Sequence, residues 1–152
     1  MIPGRASRRI IADRLEWVET MLDRLHRLPL DDRDRFFADV RNVAAAESYL
    51  RRALEALLDL GRHILAKGFG KGVSEYKEIA RELKNHGVLT RDEADRLETM
   101  AGYRNRMVHF YHEVSREELY EICRHHLADV EDVLHGYKRW ARQNPDRVDD
   151  QL

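Results

Sequence analysis

The sequence predicts an all-α fold, an antiparallel helical bundle of about five helices. Three observations predict it. Apolar residues recur at steps of three and four along most of the chain, the period of a helix with one buried face. Beside them, no run of alternating apolar and polar residues reads as a strand. Charged residues make up 36% of 152, while only 8 Gly and 3 Pro punctuate the chain. Long amphipathic helices give that combination, because each exposes a wide polar face.

The elements follow in order. Ile10, Ile11, Leu15, Val18, Leu22, Leu25 and Leu28 predict a first helix from about Ser7 to Leu28, which Pro29 ends. Asp31 is the expected N-cap of the next. That second helix reads as one piece from about Asp32 to Ala66. Its stripe is Phe36, Val40, Val43, Glu47, Leu50, Leu54, Leu57, Gly61 and Ile64. Lys67–Val73, with Gly68, Gly70 and Gly72, is the flexible connection. A short helix from Ser74 to about Asn85 carries Tyr76, Ile79, Ala80 and Leu83. Thr90 with Glu93 forms a capping box for a helix with Ala94, Leu97, Ala101, Met107, Val108 and Tyr111. Ser115 with Glu118 forms a second box. The last helix carries Leu119, Ile122, Cys123, His126, Val130, Val133, Tyr137 and Trp140. Residues 1–144 are expected to form one domain, and residues 145–152 a polar tail without order.

Composition excludes some functions. There are 27 basic and 28 acidic residues, for a net charge of −1. A broadly basic nucleic-acid binder is excluded, and a local basic site is not. The single cysteine, Cys123, cannot form an intramolecular disulfide and fits a reducing compartment. No apolar run approaches the roughly 20 residues of a membrane span, and the first residues lack the apolar core of a signal peptide. The expectation is a soluble cytoplasmic protein without a membrane partner. Lys67–Gly72, KGFGKG, lacks the spacing of a phosphate-binding loop. In His109-x-x-His112-Glu113 the glutamate lies outside the histidine pair, and no third ligand is at a supported position. No metal and no cofactor are expected.

The segment Tyr103–Glu113 stands out. Arg104, Arg106, His109 and His112 fall together with no acid before Glu113. Arg offers a fixed-charge fork for phosphate oxygens, and His exchanges a proton near neutral pH. Arg104 lies on the face of Leu97, Ala101, Val108 and Tyr111, so it is an arginine on an apolar stripe. About 140° separates Arg104 from His109 on one helix, and a second copy of the helix across a two-fold axis would help to converge them. A purely structural reading competes: a half-buried Arg pairs with an acid, for which Glu47 is the expected partner, and His109 and Tyr111 are packing. Asp59 and His63 share a helix face, either beside the cleft or as a surface ion pair. Arg51, Arg52, Arg62, Lys67 and Lys71 would extend a basic rim, or simply face water. Trp17 and Trp140 read as packing or dimer contacts. His125 and His126 point apart.

Arg104-Asn105-x-x-x-His109-x-Tyr111 resembles the RNxxxHxY signature of HepT-like proteins of the HEPN superfamily. The context agrees. Tyr49–Lys67, with Asp59-x-x-x-His63, resembles the family's long helix. Ser74-Glu75-Tyr76-Lys77, Leu83, Gly87-Val88-Leu89, Glu93-Ala94 and Met100 follow in the family's order, and Val114–Leu134 resembles the helix after the motif. The likeness covers about Asp34 to Tyr137. It implies a homodimeric, metal-independent endoribonuclease, the toxin of a toxin–antitoxin pair. It implies Arg104 and His109 as the catalytic pair, Asn105 as support, and RNA as substrate. It further implies an MNT-type nucleotidyltransferase antitoxin that uses ATP to adenylylate Tyr111. Glu47, Asp59, His63, Arg106 and His112 are the residues expected around that pair. A rival from another class is a non-catalytic helical subunit that binds a nucleotide or a nucleotidyltransferase partner.

Overall fold

The computed structural model describes residues 4–109 and 114–149. In chain order these form β1 (Ala6–Ser7), α1 (Arg8–His26), α2 (Arg33–Ala38), α3 (Val40–His63), a π-helical turn (Ile64–Gly68), α4 (Tyr76–Asn85), α5 (Arg91–His109), α6 (Arg116–His125), α7 (Leu127–Gln143), a 3₁₀ turn (Pro145–Arg147) and β2 (Val148–Asp149). The all-α expectation holds, with seven α-helices among the described residues and one two-stranded ladder of two residues per strand. Among the described residues, no helix is long and apolar enough to cross a membrane.

Helix α3 is the central element. Leu50, Ala53, Leu54, Leu57, Leu58 and Leu60 are fully buried. Helix α1 lies along α3, and α5 sits between α4 and α7. The close approach at Gly61 requires a glycine. A Cβ there would stand 2.7 Å from the Tyr137 hydroxyl and 2.8 Å from a Leu83 methyl. That hydroxyl instead donates to the Leu57 carbonyl at 3.0 Å, satisfying a polar group that burial would otherwise penalise.

Two expected helices are each two. The long one breaks at Asp39, whose backbone is extended (φ −121°, ψ 111°). Its carboxylate accepts from the Arg41 backbone N–H at 3.0 Å and from the Arg41 side chain. Asp39 thus caps a new helix inside a stripe whose spacing never slips. The stripe's early members turn outward as a result: Val40 is 75% exposed, and Glu47 faces solvent. The cap of α2 is Asp32, not Asp31; it accepts from the Arg35 N–H at 3.1 Å. The last helix breaks at His126 (φ −121°, ψ 8°).

The expected capping boxes differ. Thr90 and Glu93 make both bonds, Thr90 N–H to Glu93 Oε1 at 2.9 Å and Glu93 N–H to Thr90 Oγ1 at 3.2 Å. At the second site the Glu118 N–H donates to Ser115 Oγ, while the Glu118 carboxylate is taken by Arg106. Residues 145–149 are not loose, contrary to expectation. Val148, apolar in a polar stretch, is buried, and β2 pairs in parallel with β1, Ala6 opposite Val148. Arg147 donates to the Gly68 carbonyl at 2.7 Å and stacks on Phe69. Cys123 is core, as expected, and burial pushes its thiol up to about 12. Trp140 is buried, whereas Trp17 is exposed.

Candidate functional site

Helix α5 is fixed at its start and open at its end. Glu93, beside its cap, receives both arms of Arg139 from α7 at 2.7 and 2.8 Å. The Arg139 guanidinium, more than the Thr90 bonds, holds this carboxyl below the usual range. Leu97, Met100, Ala101 and Met107 are buried, which fixes the rotation of the helix. One turn after Ala101, the same face brings Arg104 to the edge of the core with its side chain 18% exposed.

Arg104 is held loosely. Its guanidinium lies over the Tyr76 ring, 4.7 Å from the centroid. Nη1 is 3.4 Å from Asn105 Oδ1, and Nη2 is 3.8 Å from Glu55 Oε2. Nε is buried with no hydrogen-bond partner. A cation with donors to spare, partly removed from water, is suited to receive an anion.

An open cavity of about 440 Å³ lies in front of it. Arg104, Asn105 and His109 line one side, and Arg62, Tyr76 and Lys77 another. The 140° between Arg104 and His109 therefore does not separate them: both reach one cavity in a single chain. Ser74 and Glu75 complete the wall. Three fixed cations and a histidine face one carboxylate, a local positive spot on a chain of net charge −1.

Asp59 supports this wall. Its Oδ1 accepts from the Tyr76 hydroxyl at 2.9 Å and from Arg62 Nη1 at 3.2 Å. Arg62 also donates to the carbonyls of Val73 and Ser74 at 3.2 and 3.0 Å, tying down the loop before α4. Burial, then the bond to Asp59, raises the Tyr76 phenol above its ordinary value.

Other expectations divide. The acid nearest Arg104 is Glu55, not Glu47, which is exposed two turns earlier on α3. Glu55 also pairs with Arg51 at 2.7 Å. His63 is parted from Asp59: its Nε2 accepts from the Ser7 N–H at 2.9 Å, at the β1 seam. Burial, with Lys67 and Arg14 nearby, lowers its pKa below 6.5, which suits an acceptor nitrogen. Arg106 points away from the cavity to a two-armed pair with Glu118 at 2.6 and 3.1 Å. His125 and His126 do point apart, to Glu121 and Asp129. Tyr111 and His112 lie outside the described residues. By its spacing Tyr76 belongs to the apolar face of a short helix, and nothing in the sequence connects it with Arg104. The available signal was an aromatic next to Lys77 at the start of a helix.

Comparison with known proteins places the fold and the family. A tRNA nuclease HepT of Aphanizomenon flos-aquae is 28% identical over 112 residues, covering 73% of this chain and 76% of that protein. An mRNA nuclease HepT of Shewanella oneidensis is 24% identical over 125 residues, covering 82% and 93%. Among solved structures, the tri-AMPylated HEPN toxin of Shewanella oneidensis, in complex with an MNT antitoxin, superposes with a TM-score of 0.77 at 24% identity, over 86% of this chain and 97% of that one. YutE of Bacillus subtilis, a cytosolic protein of unknown function, gives 0.77 at 21%, over 95% and 96%. These superpositions establish the shared fold. The sequence model of the ribonuclease HepT-like family matches residues 18–135, which contain every described wall of the cavity, and the chain belongs to that family.

Proposed function

We propose that this protein is the toxin of a toxin–antitoxin pair, an endoribonuclease that needs no metal and works as a homodimer. One observation carries the reading: Arg104, Asn105 and His109 line a single positively charged cavity, with an Arg104 donor left unbonded. RNA brings its own nucleophile. His109 takes the proton of a 2′-OH, whose oxygen attacks the adjacent phosphorus. Arg104 stabilises the charge that gathers on the phosphorane oxygens. The P–O5′ bond breaks, the 5′ oxygen takes a proton from water, and a 2′,3′-cyclic phosphate remains. A second protomer would close the cleft over this end of α5, where Val108 presents an exposed apolar side chain.

The nuclease names and the MNT complex belong to the relatives, and they support the same assignment here. The proposed partner is an MNT-type nucleotidyltransferase antitoxin that transfers AMP from ATP to Tyr111. Tyr111 is two residues along the chain from His109, so the added bulk and negative charge would repel substrate phosphate.

The test is RNA cleavage by purified wild type, Arg104→Ala and His109→Ala, with EDTA present throughout. The expected result is cyclic-phosphate ends from wild type, with cleavage by either variant slower by at least about 100-fold, and growth arrest in cells from wild type only. Equal cleavage by either variant overturns the catalytic assignment. Absence of cleavage and arrest by wild type favours the non-catalytic binding subunit. Mass spectrometry after incubation with ATP and the cognate antitoxin should find AMP on the Tyr111 peptide; an unmodified peptide removes the silencing step.

A further inference from the structure

The Arg104 guanidinium is held by few polar bonds, and the group beneath it is an aromatic ring with supports of its own. Two arginines lie over the Tyr76 ring, Arg104 at 4.7 Å and Arg62 at 5.1 Å from its centroid. Its hydroxyl is fixed by Asp59 at 2.9 Å, and the same Asp59 oxygen holds Arg62. Arg62 in turn grips the carbonyls of Val73 and Ser74, so the ring is braced from helix and loop together.

We infer that Tyr76 is a positioning residue: a platform, anchored by Asp59, that fixes the plane in which the Arg104 guanidinium lies beside the cavity. This rests on the proposed ribonuclease reading. The physical argument is one of degrees of freedom. A long arginine side chain has many rotamers, and an ion pair at 3.8 Å with a hydrogen bond at 3.4 Å restrains them weakly. The aromatic face fixes the plane of the guanidinium by cation–π attraction. It does so without occupying any N–H, because the ring offers no lone pair in that plane. A carboxylate in the same place would hold Arg104 as firmly, but would fill the donors that a phosphate needs.

The hydroxyl has a separate task. Donating to Asp59, it keeps the ring from turning away, and the Asp59 charge offsets two cations near one ring. Tyr76 itself stays off the reacting atoms, because its proton is committed to Asp59.

The test compares Tyr76→Leu and Tyr76→Phe in RNA cleavage, alone and with Arg104→Ala. Loss of the platform should lower kcat by roughly 3- to 30-fold, the range of a cation–π contact, with KM changed less than about twofold. Tyr76→Phe keeps the ring and should recover most of the rate. In the Arg104→Ala background, Tyr76→Leu should cost nothing further. A wild-type kcat for Tyr76→Leu, an equal loss in Tyr76→Phe, or a full loss in the Arg104→Ala background each overturns the inference. The wild type alone gives an independent check: ring current from Tyr76 should shift Arg104 side-chain proton resonances upfield, and unshifted resonances overturn it even where a variant does not fold. If Arg104→Ala cleaves RNA normally, the ribonuclease reading fails instead; if Arg104→Ala loses activity while Tyr76→Leu cleaves at the wild-type rate, only the platform fails.

Discussion

Each end of α5 takes part in an arginine–glutamate pair, and the two differ in how fully the pair is made. At the start, Arg139 meets Glu93 with two short bonds, and Thr90 adds a third to the same carboxylate. At the end, Arg104 stands 3.8 Å from Glu55, which is shared with Arg51, and one Arg104 nitrogen has no partner. A saturated pair has nothing left to give a ligand and serves to hold α5 on α7. An unsaturated one holds little, yet keeps its donors for an incoming anion. One helix thus separates stability from function along its length.

That separation can be broken experimentally. The largest effect is expected from Arg104→Met: ribonuclease activity should fall at least about 100-fold, the size of a lost transition-state donor. Its melting temperature should hold or rise, since a half-buried cation with an orphaned N–H stabilises the fold little. Activity assays and calorimetry on one sample check both. The mirror image is Glu93→Ala. It should cost about 2–3 kcal/mol by stripping charged hydrogen bonds from Arg139, or about 4–12 °C in Tm for a chain of this size, with kcat on the folded protein unchanged.

A smaller effect is set by pH. The Glu93 carboxyl is held below 4.5 by Arg139, so its contribution is complete above pH 4.5 and is lost as pH falls through the folded-state value. Glu93→Gln should flatten that part of the acid-unfolding curve. His63, with a lowered pKa, adds a milder limb. Its neutral ring supports the fold fully above pH 6.5, and stability declines as pH falls from there because the unfolded chain takes the proton first. His63→Gln should remove that limb. The smallest expected effects belong to two glutamates of α3. Glu55→Ala should change cleavage by no more than about fivefold, as for a loose, partly screened pair. Glu47→Ala should leave cleavage unchanged and the unfolding free energy within about 0.5 kcal/mol of wild type, as is typical of a surface site.

The contrast also explains what could be read from the chain before folding. Periodicity located every long helix, because burial of one face dictates it, and the Thr90–Glu93 box marked the start of α5 from four residues. It did not reveal the break at Asp39, because a capping aspartate can sit inside a regular stripe without disturbing the spacing. Nor did it reveal that Val148 would dock beside Ala6, since one apolar residue in a polar tail carries no period. At the site, Arg104, Asn105 and His109 were legible because they are local in sequence. Glu47 as the expected partner of Arg104 gives way to Glu55 because both lie on α3, and only the depth at which α5 crosses α3 selects between them. Tyr76 escaped for a related reason: a cation–π contact between α4 and α5 leaves no spacing in either helix.

The parallel ladder of β1 with β2 gives the bundle the topology of a nearly closed ring. Strands in register lie about 4.8 Å apart, so Ala6 and Asp149 belong to neighbouring rungs of one short ladder, with the chain before Ala6 and the chain after Asp149 leaving from its opposite ends. A fluorophore on one end and a quencher on the other would report ring opening directly. A short linker from Asp149 to Ala6 would close the ring, and the glycine-bearing stretch at Gly70–Gly72 offers a place to cut a circular permutant whose new ends open beside the cavity wall rather than at the seam.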